Sequence, residues 1–143
     1  MKKLDKKKFL FDFIRKYKIA VIATVNQDGK PEAAVLEFGE TENLELIFDT
    51  FSESRKCKNI QNNRNIAFVI GWDEDITVQY EGEAFELTHT NELEKYKQAF
   101  FKKNPEAKRW ERRKGIVYFK VIPKWIRYSD LRVHLWKIFE VEF

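Results

Sequence analysis

The sequence predicts an α+β domain in which six antiparallel strands close into a small barrel with peripheral helices. Three observations predict it. Short runs rich in β-branched and aromatic residues recur between turn signals. Helical segments are inserted at intervals among strands joined by short turns. The longest strand-like run, Ile76 to Leu87, carries Gly82 in its interior, where a small barrel needs a bulge or a corner.

Each element follows from its local pattern. Asp5 is placed to cap a first helix with Phe9, Phe13 and Tyr17 on one face. Ile19 to Val25 (IAVIATV) is nearly continuous in apolar residues, the signature of a strand buried on both faces. Gln27-Asp28-Gly29-Lys30-Pro31 turns the chain into a second strand, Ala33 to Phe38. Leu44 to Phe48 reads as a third strand, Ile66 to Ile70 as a fourth and Ile76 to Leu87 as a fifth. Thr90 is placed to cap a helix running to Lys103, and Pro105 suits the first turn of another. Ile116 to Ile122 is the sixth strand, broken by Pro123, and short extended runs follow at Trp125 to Tyr128 and Val133 to Val141. Apolar residues on both faces of a strand need an outer cover, from helices or from a second copy of the chain.

Composition narrows the function. A chain of 143 residues fits a single domain, here residues 1–143, and 43% hydrophobic with 15% aromatic residues excludes a disordered chain. The net charge is only +4, and acids and bases are mixed along most of the length, so a nucleic-acid surface is not expected. The lone Cys57 excludes an intrachain disulfide framework and fits a reducing compartment. No apolar stretch is long enough to span a membrane, and charges interrupt the apolar part of the N-terminus, which makes a poor signal peptide. A cytoplasmic location is therefore expected. His89 and His134 lie far apart without metal-ligand spacing, so no metal site is expected.

One stretch breaks a rule. In Asp49-Thr50-Phe51-Ser52-Glu53-Ser54-Arg55-Lys56-Cys57-Lys58, Ser54 is a good N-cap, and three cations crowd the helix start that follows it. Cations there oppose the positive end of the helix dipole, at a cost of about 0.3–1 kcal/mol each when exposed. A bound anion reverses the sign, since free N–H groups, hydroxyls and a guanidinium converge on it. The plain alternative is that the cations extend into water and the cost is tolerated. Cys57 beside Lys56 and Lys58 reads as a packed thiol rather than a nucleophile, because no histidine partner is in view.

The order strand, Asp49-Thr50, Phe51-Ser52-Glu53, Ser54-Arg55-Lys56, helix, apolar strand resembles the pyridoxamine 5′-phosphate oxidase-like flavoproteins. The likeness extends to IATVNQDGKPEAAVLEF upstream and to TVQYEGEAFEL and PKWIRYSD downstream, from Phe9 to Asp130. It implies an FMN-binding split barrel and a homodimer with FMN at the interface. Arg55, Lys56 and Ser54 would hold the FMN phosphate. Asp49 and Thr50 would lie along the isoalloxazine edge, with Val35, Leu36 and Glu37 on its other side. Thr77 or Gln79 on the fifth strand would reach the phosphate or ribityl chain of the partner's flavin, and Tyr128 would supply an aromatic near the ring.

The resemblance also has gaps. Oxidases of the family carry a Lys near the end of the second strand, where this chain has Glu37. They also use Tyr, Arg and Ser at four-residue intervals on the later helix, where this chain has Tyr96, Phe100 and Asn104. A pocket without that Lys and Arg has lost its charge pairing for phosphorylated pyridoxamine. The resemblance therefore implies an FMN-dependent oxidoreductase acting on another small molecule. The alternative is a non-catalytic protein of the same fold that binds flavin, haem or a deazaflavin.

Overall fold

Ile19–Val25 (β1) buries Ala20, Ile22 and Thr24 on one face and leaves Val21, Ala23 and Val25 half-buried on the other. That alternation is the period-two pattern of a strand with one side on a core. The computed structural model describes residues 1–143 and sets this strand in an eight-stranded antiparallel sheet. The others are β2 (Pro31–Glu37), β3 (Gly39–Glu40), β4 (Leu46–Phe51), β5 (Asn65–Ile70), β6 (Ile76–Glu86), β7 (Ile116–Asp130) and β8 (Lys137–Glu142). Helices α1 (Lys3–Ile14), α2 (Arg55–Asn62) and α3 (Thr90–Lys103) accompany the sheet, with 3-10 segments at Asp73–Asp75 and Pro105–Trp110. No helix is long and apolar enough to cross a membrane.

The strands neighbour one another in the order β2-β1-β5-β6-β7-β4-β3. The two ends of that order, β2 and β3, are separated in sequence by Phe38 alone. One stretch of chain therefore joins both edges, and the sheet curls into a split barrel. Phe38 is fully buried at the seam, and its N–H reaches the Lys18 carbonyl at 3.3 Å.

Eight strands, rather than the six expected, come from local events the sequence pattern does not show. β7 runs unbroken through Pro123 for 15 residues. On one edge it pairs with β4 as far as Val121 and with β8 from Trp125 onward, so Pro123 falls in the gap between partners. On the other edge the register with β6 shifts between Glu81 and Gly82, opposite the proline. A residue without an N–H costs nothing where no ladder bond is called for. β3 and β8 are the two added strands, and β8 begins at Lys137 rather than Val133. The third expected strand starts late because Leu44 has φ +65° in a turn. Its N–H is bonded to the Thr41 carbonyl at 2.9 Å, and its own carbonyl accepts the buried Tyr80 hydroxyl at 2.8 Å. The expected caps also move. Asp5 sits inside the first turn of α1, and His89 rather than Thr90 precedes α3.

Two cores result. The barrel interior holds 24 buried residues, with Phe48 stacked on Phe119 at 5.3 Å and Phe68 edge-on to Tyr80 at 5.8 Å. Such aromatic pairs add about 0.5–1.5 kcal/mol beyond simple burial. The smaller cluster of Ile47, Leu87, Tyr96, Phe100, Phe101, Ala107 and Tyr118 fills the space between α3 and the outer side of β4 and β7. β4 is thus covered on both faces, Leu46 and Phe48 inward and Ile47 outward. No helix covers the outer side of β2-β1-β5, where Val35 is 61% and Ile19 44% exposed.

Gly39 gives a direct test of this packing. A Cβ there would stand 2.8 Å from the Phe100 Cα, so Gly39→Ala must push α3 off the sheet. The expected loss is about 1–3 kcal/mol of unfolding free energy, read as a lower urea midpoint.

Candidate anion and cofactor site

Helix α2 opens without an acid in its first turn and with Ser54 as N-cap. The Ser54 Oγ accepts the Cys57 N–H at 3.2 Å and lies 2.9 Å from the Thr50 Oγ1. β4 delivers Thr50 to this point because its even positions face the barrel. Lys58 pairs with Glu53 at 3.7 Å, while Lys56 makes no ion pair. Cys57 is fully buried, and burial pushes its thiol above the usual range, so it is a packed side chain.

Arg55 is engaged by a residue the sequence did not single out. Its guanidinium donates to the carboxylate of Glu32 on β2. The same carboxylate accepts the Asn59 amide at 2.8 Å and the Asn26 amide at 3.3 Å. Asn59 is itself buried and also donates to the Thr24 hydroxyl at 2.9 Å. The Arg55 hydrogen bond and then the Asn59 amide hold the Glu32 carboxyl down at about 2, so it stays ionised at neutral pH. The one signal in the sequence was that Arg55 and Asn59 are four residues apart on one helix face. A cavity of about 220 Å³, lined by Thr24, Glu32, Ala34, Arg55 and Lys56, opens between β1, β2 and the start of α2.

A second polar group lies on the outer face. The Asp49 Oδ2 and Glu37 Oε2 atoms are buried without hydrogen-bond partners, as is the hydroxyl of Tyr118, which stands opposite Asp49 on β7. Burial first, and then the charge of Glu37, push the Asp49 carboxyl up to about 6, against weaker opposing pulls from Lys56 and Arg109. The Tyr118 hydroxyl is pushed up to about 12 by burial and then by Asp49. Orphaned carboxylate oxygens invite a donor from outside the chain.

The remaining positions scatter. Val35 and Glu37 point outward from β2, whereas the Leu36 side chain belongs to the barrel core. Across the sheet Val35 stands opposite Val21, Val21 opposite Val69 and Val69 opposite Gln79, which places exposed Gln79 at the far end of the bare apolar face. Thr77 faces Ser129 on the same side of β6. Tyr128 is packed away from the cradle, edge-on to Phe9 at 4.9 Å and Phe13 at 5.3 Å and stacked on Phe139 at 5.3 Å. The tryptophans do not gather. Trp110 meets Phe51, Trp125 donates to Glu140 and Trp136 is exposed. On α3, Tyr96 donates to Glu45 at 2.9 Å and Phe100 is fully buried, and Asn104 at the helix's C-cap donates to the Phe38 carbonyl at 2.8 Å. These three positions hold the helix to the sheet.

The family profile described as pyridoxamine 5′-phosphate oxidase matches residues 7–130. The chain belongs to this family. It is a member without the Lys and Arg that pair a phosphorylated pyridoxamine, and Glu37 and Phe100 stand in their places. A search of curated proteins finds no match. Among solved structures, the general stress protein 26 of Bacillus anthracis is 26% identical, with TM-score 0.69, over 89% of this chain and 94% of that one. A putative pyridoxamine 5′-phosphate oxidase of Listeria innocua is 19% identical with TM-score 0.70, over 86% of this chain and 97% of that one. A haem-binding protein of Mycobacterium smegmatis is 12% identical with TM-score 0.80 over 99% of this chain, which spans only 58% of that protein. The last two likenesses establish the fold of this family member and nothing finer.

Asp49 makes the family member's stability depend on pH. Its folded value of about 6 lies above the ordinary 3.8, so the fold holds that proton more tightly than the unfolded chain does. The benefit is complete below pH 3.8 and is lost as pH rises through 6. With a discount for solvent screening, the unfolding free energy of the wild type should fall by roughly 1–2 kcal/mol more than that of Asp49→Asn over this window. Urea titrations of both proteins at the two ends of the window read the difference, and equal slopes would remove Asp49 as the cause.

Proposed function

We propose that this chain binds FMN between two copies of itself and serves as an oxidoreductase acting on a small molecule. The observation that carries the reading is the convergence of Ser54, Thr50, Arg55 and unpaired Lys56 beside a cavity at an acid-free helix start. That donor set suits a phosphate, because hydroxyls, backbone N–H groups and the unpaired Lys56 ammonium offer charge-assisted bonds together. At about 220 Å³ the cavity is too small to enclose a whole flavin mononucleotide, since ligand pockets usually need roughly 300 Å³ or more. A second copy packed on the bare face around Val35, Val21 and Val69 would supply the missing walls.

Lys56 and Ser54 would hold the phosphate, Thr50 would support Ser54, and Arg55 would stand beside them, paired with Glu32. Asp49 and Glu37, with their unpartnered oxygens, would face the donor-bearing edge of the ring, beside Val35. Thr77 and Gln79, on the outward side of β6, would reach a partner's ligand across the apolar face, while Leu36 and Tyr128 would act only through packing. Bound FMN supplies electron or hydride transfer, and the protein binds and orients it. The buried, unpaired thiol of Cys57 supports a reducing, cytoplasmic setting.

A second reading is non-catalytic storage of haem, favoured by the fold shared with the mycobacterial haem-binding protein. Against it, both histidines are exposed and neither lines the cavity. The absorption spectrum of the protein reconstituted with either cofactor separates the readings, and oxidation of reduced nicotinamide by the FMN form separates enzyme from carrier.

Lys56→Ala should weaken FMN about ten- to hundredfold in a fluorescence titration, the value of a charge-assisted hydrogen bond. Val35→Glu puts a charge on the bare face. It should yield a monomer by sedimentation and lose FMN with it, and a dimeric variant that keeps FMN would overturn the interface.

A further inference from the structure

The anion cradle already contains an anion. Glu32 reaches from β2 to the first residue of α2, and its carboxylate is bonded by Arg55, Asn59 and Asn26. Its side chain is 17% exposed while that of Arg55 is 78% exposed, so the carboxylate lies on the inner side of the pair and the guanidinium on the solvent side. The three bonds come from two elements: Asn26 from the turn after β1, and Arg55 and Asn59 from successive turns of α2. Asn59 is in turn tied to Thr24, so the carboxylate is held from below as well as from its rim. This is a built arrangement rather than a chance surface pair, and it lies in the wall of the cavity that Lys56 and Arg55 also line.

A ligand phosphate entering that cavity meets Lys56 unpaired, Arg55 already neutralised and Glu32 as a like charge. Like charges a few ångströms apart in a partly desolvated site repel strongly. We propose that Glu32 is a resident counter-ion that sets ligand specificity, so that the chain discriminates weakly between a phosphorylated flavin and its dephosphorylated form. This rests on the flavin reading above. The ligand is then held chiefly by its ring and ribityl chain, with Lys56 as the main phosphate contact. Arg55 is a positioning residue that anchors β2 to α2 through Glu32.

The test uses the full-length protein and the isosteric Glu32→Gln, which keeps the shape and most hydrogen bonds while removing the charge. FMN, riboflavin and inorganic phosphate are each titrated into both proteins, the flavins by fluorescence quenching and phosphate through the NMR signals of the Arg55 side chain. The wild type should bind FMN and riboflavin within a few-fold of one another and show little response to phosphate. Glu32→Gln should tighten FMN and phosphate about tenfold or more and leave riboflavin unchanged. Glu32→Ala should move both in the same direction and guards against a folding defect in the first variant.

Equal phosphate and FMN binding by the wild type and both variants overturns the inference while leaving the flavin reading intact. The reverse pattern is equally informative. If neither protein binds either flavin but the variants gain phosphate, the counter-ion role stands and the flavin reading falls.

Discussion

The barrel depends on one long antiparallel pairing, that of β6 with β7. β7 serves three partners, with β6 from Phe119 to Asp130 on one edge and β4 and then β8 on the other. Gly82 and Pro123 make this possible at the same level of the sheet. A Cβ on Gly82 would stand 2.5 Å from the Ile122 carbonyl oxygen, so only glycine lets the strands approach where the register shifts. The proline opposite marks the place where β4 ends and β8 begins. Without that shared strand, β4 has no fixed direction, and the loop that carries Thr50, Ser54 and Arg55 has no fixed position.

Closure then follows from a short piece of chain. The stretch from Pro31 to Glu40 pairs with β1 in its first part and with β4 in its last, with Phe38 buried between. This one segment places Glu32 inside, against α2, and Glu37 outside, near Asp49. Strand alternation alone separates them, since residues five apart on one strand face opposite sides. The two polar groups of the candidate site are therefore the two faces of a single strand. One is satisfied internally through Arg55 and Asn59, and the other is left with orphaned oxygens.

Charge within the cradle is balanced rather than simply positive. A helix start bearing Arg55, Lys56 and Lys58 looks from the sequence like a site waiting for an anion. In the fold, two of those cations have carboxylate partners, and Lys56 alone is free. The violation of helix-start preferences is partly resolved from within the chain. What remains unbalanced beside the cavity is a single lysine, a smaller demand than a phosphate dianion makes. The outer pair reverses the sign, with Glu37 standing where the family's phosphate-binding Lys would have stood and Asp49 presenting a second acceptor beside it.

The sequence by itself determined six of the eight strands, because period-two patterning and turn residues are local. It determined the Ser54 cap and the cations after it for the same reason, and the ordered motifs from Phe9 to Asp130 were enough to suggest the family. Only the tertiary structure decided the rest. Glu32 and Arg55 are 23 positions apart, and no local pattern says that a carboxylate after Pro31 will meet that guanidinium. Leu36 and Val35 differ by one position, yet one is core and the other bare surface, which depends on which face of β2 the barrel encloses. Tyr128 was legible as an aromatic on a strand but not as a residue under α1, since that contact joins the two ends of the chain. Short-range physics fixes which residues extend and which coil, while pairing between distant strands fixes which charges meet.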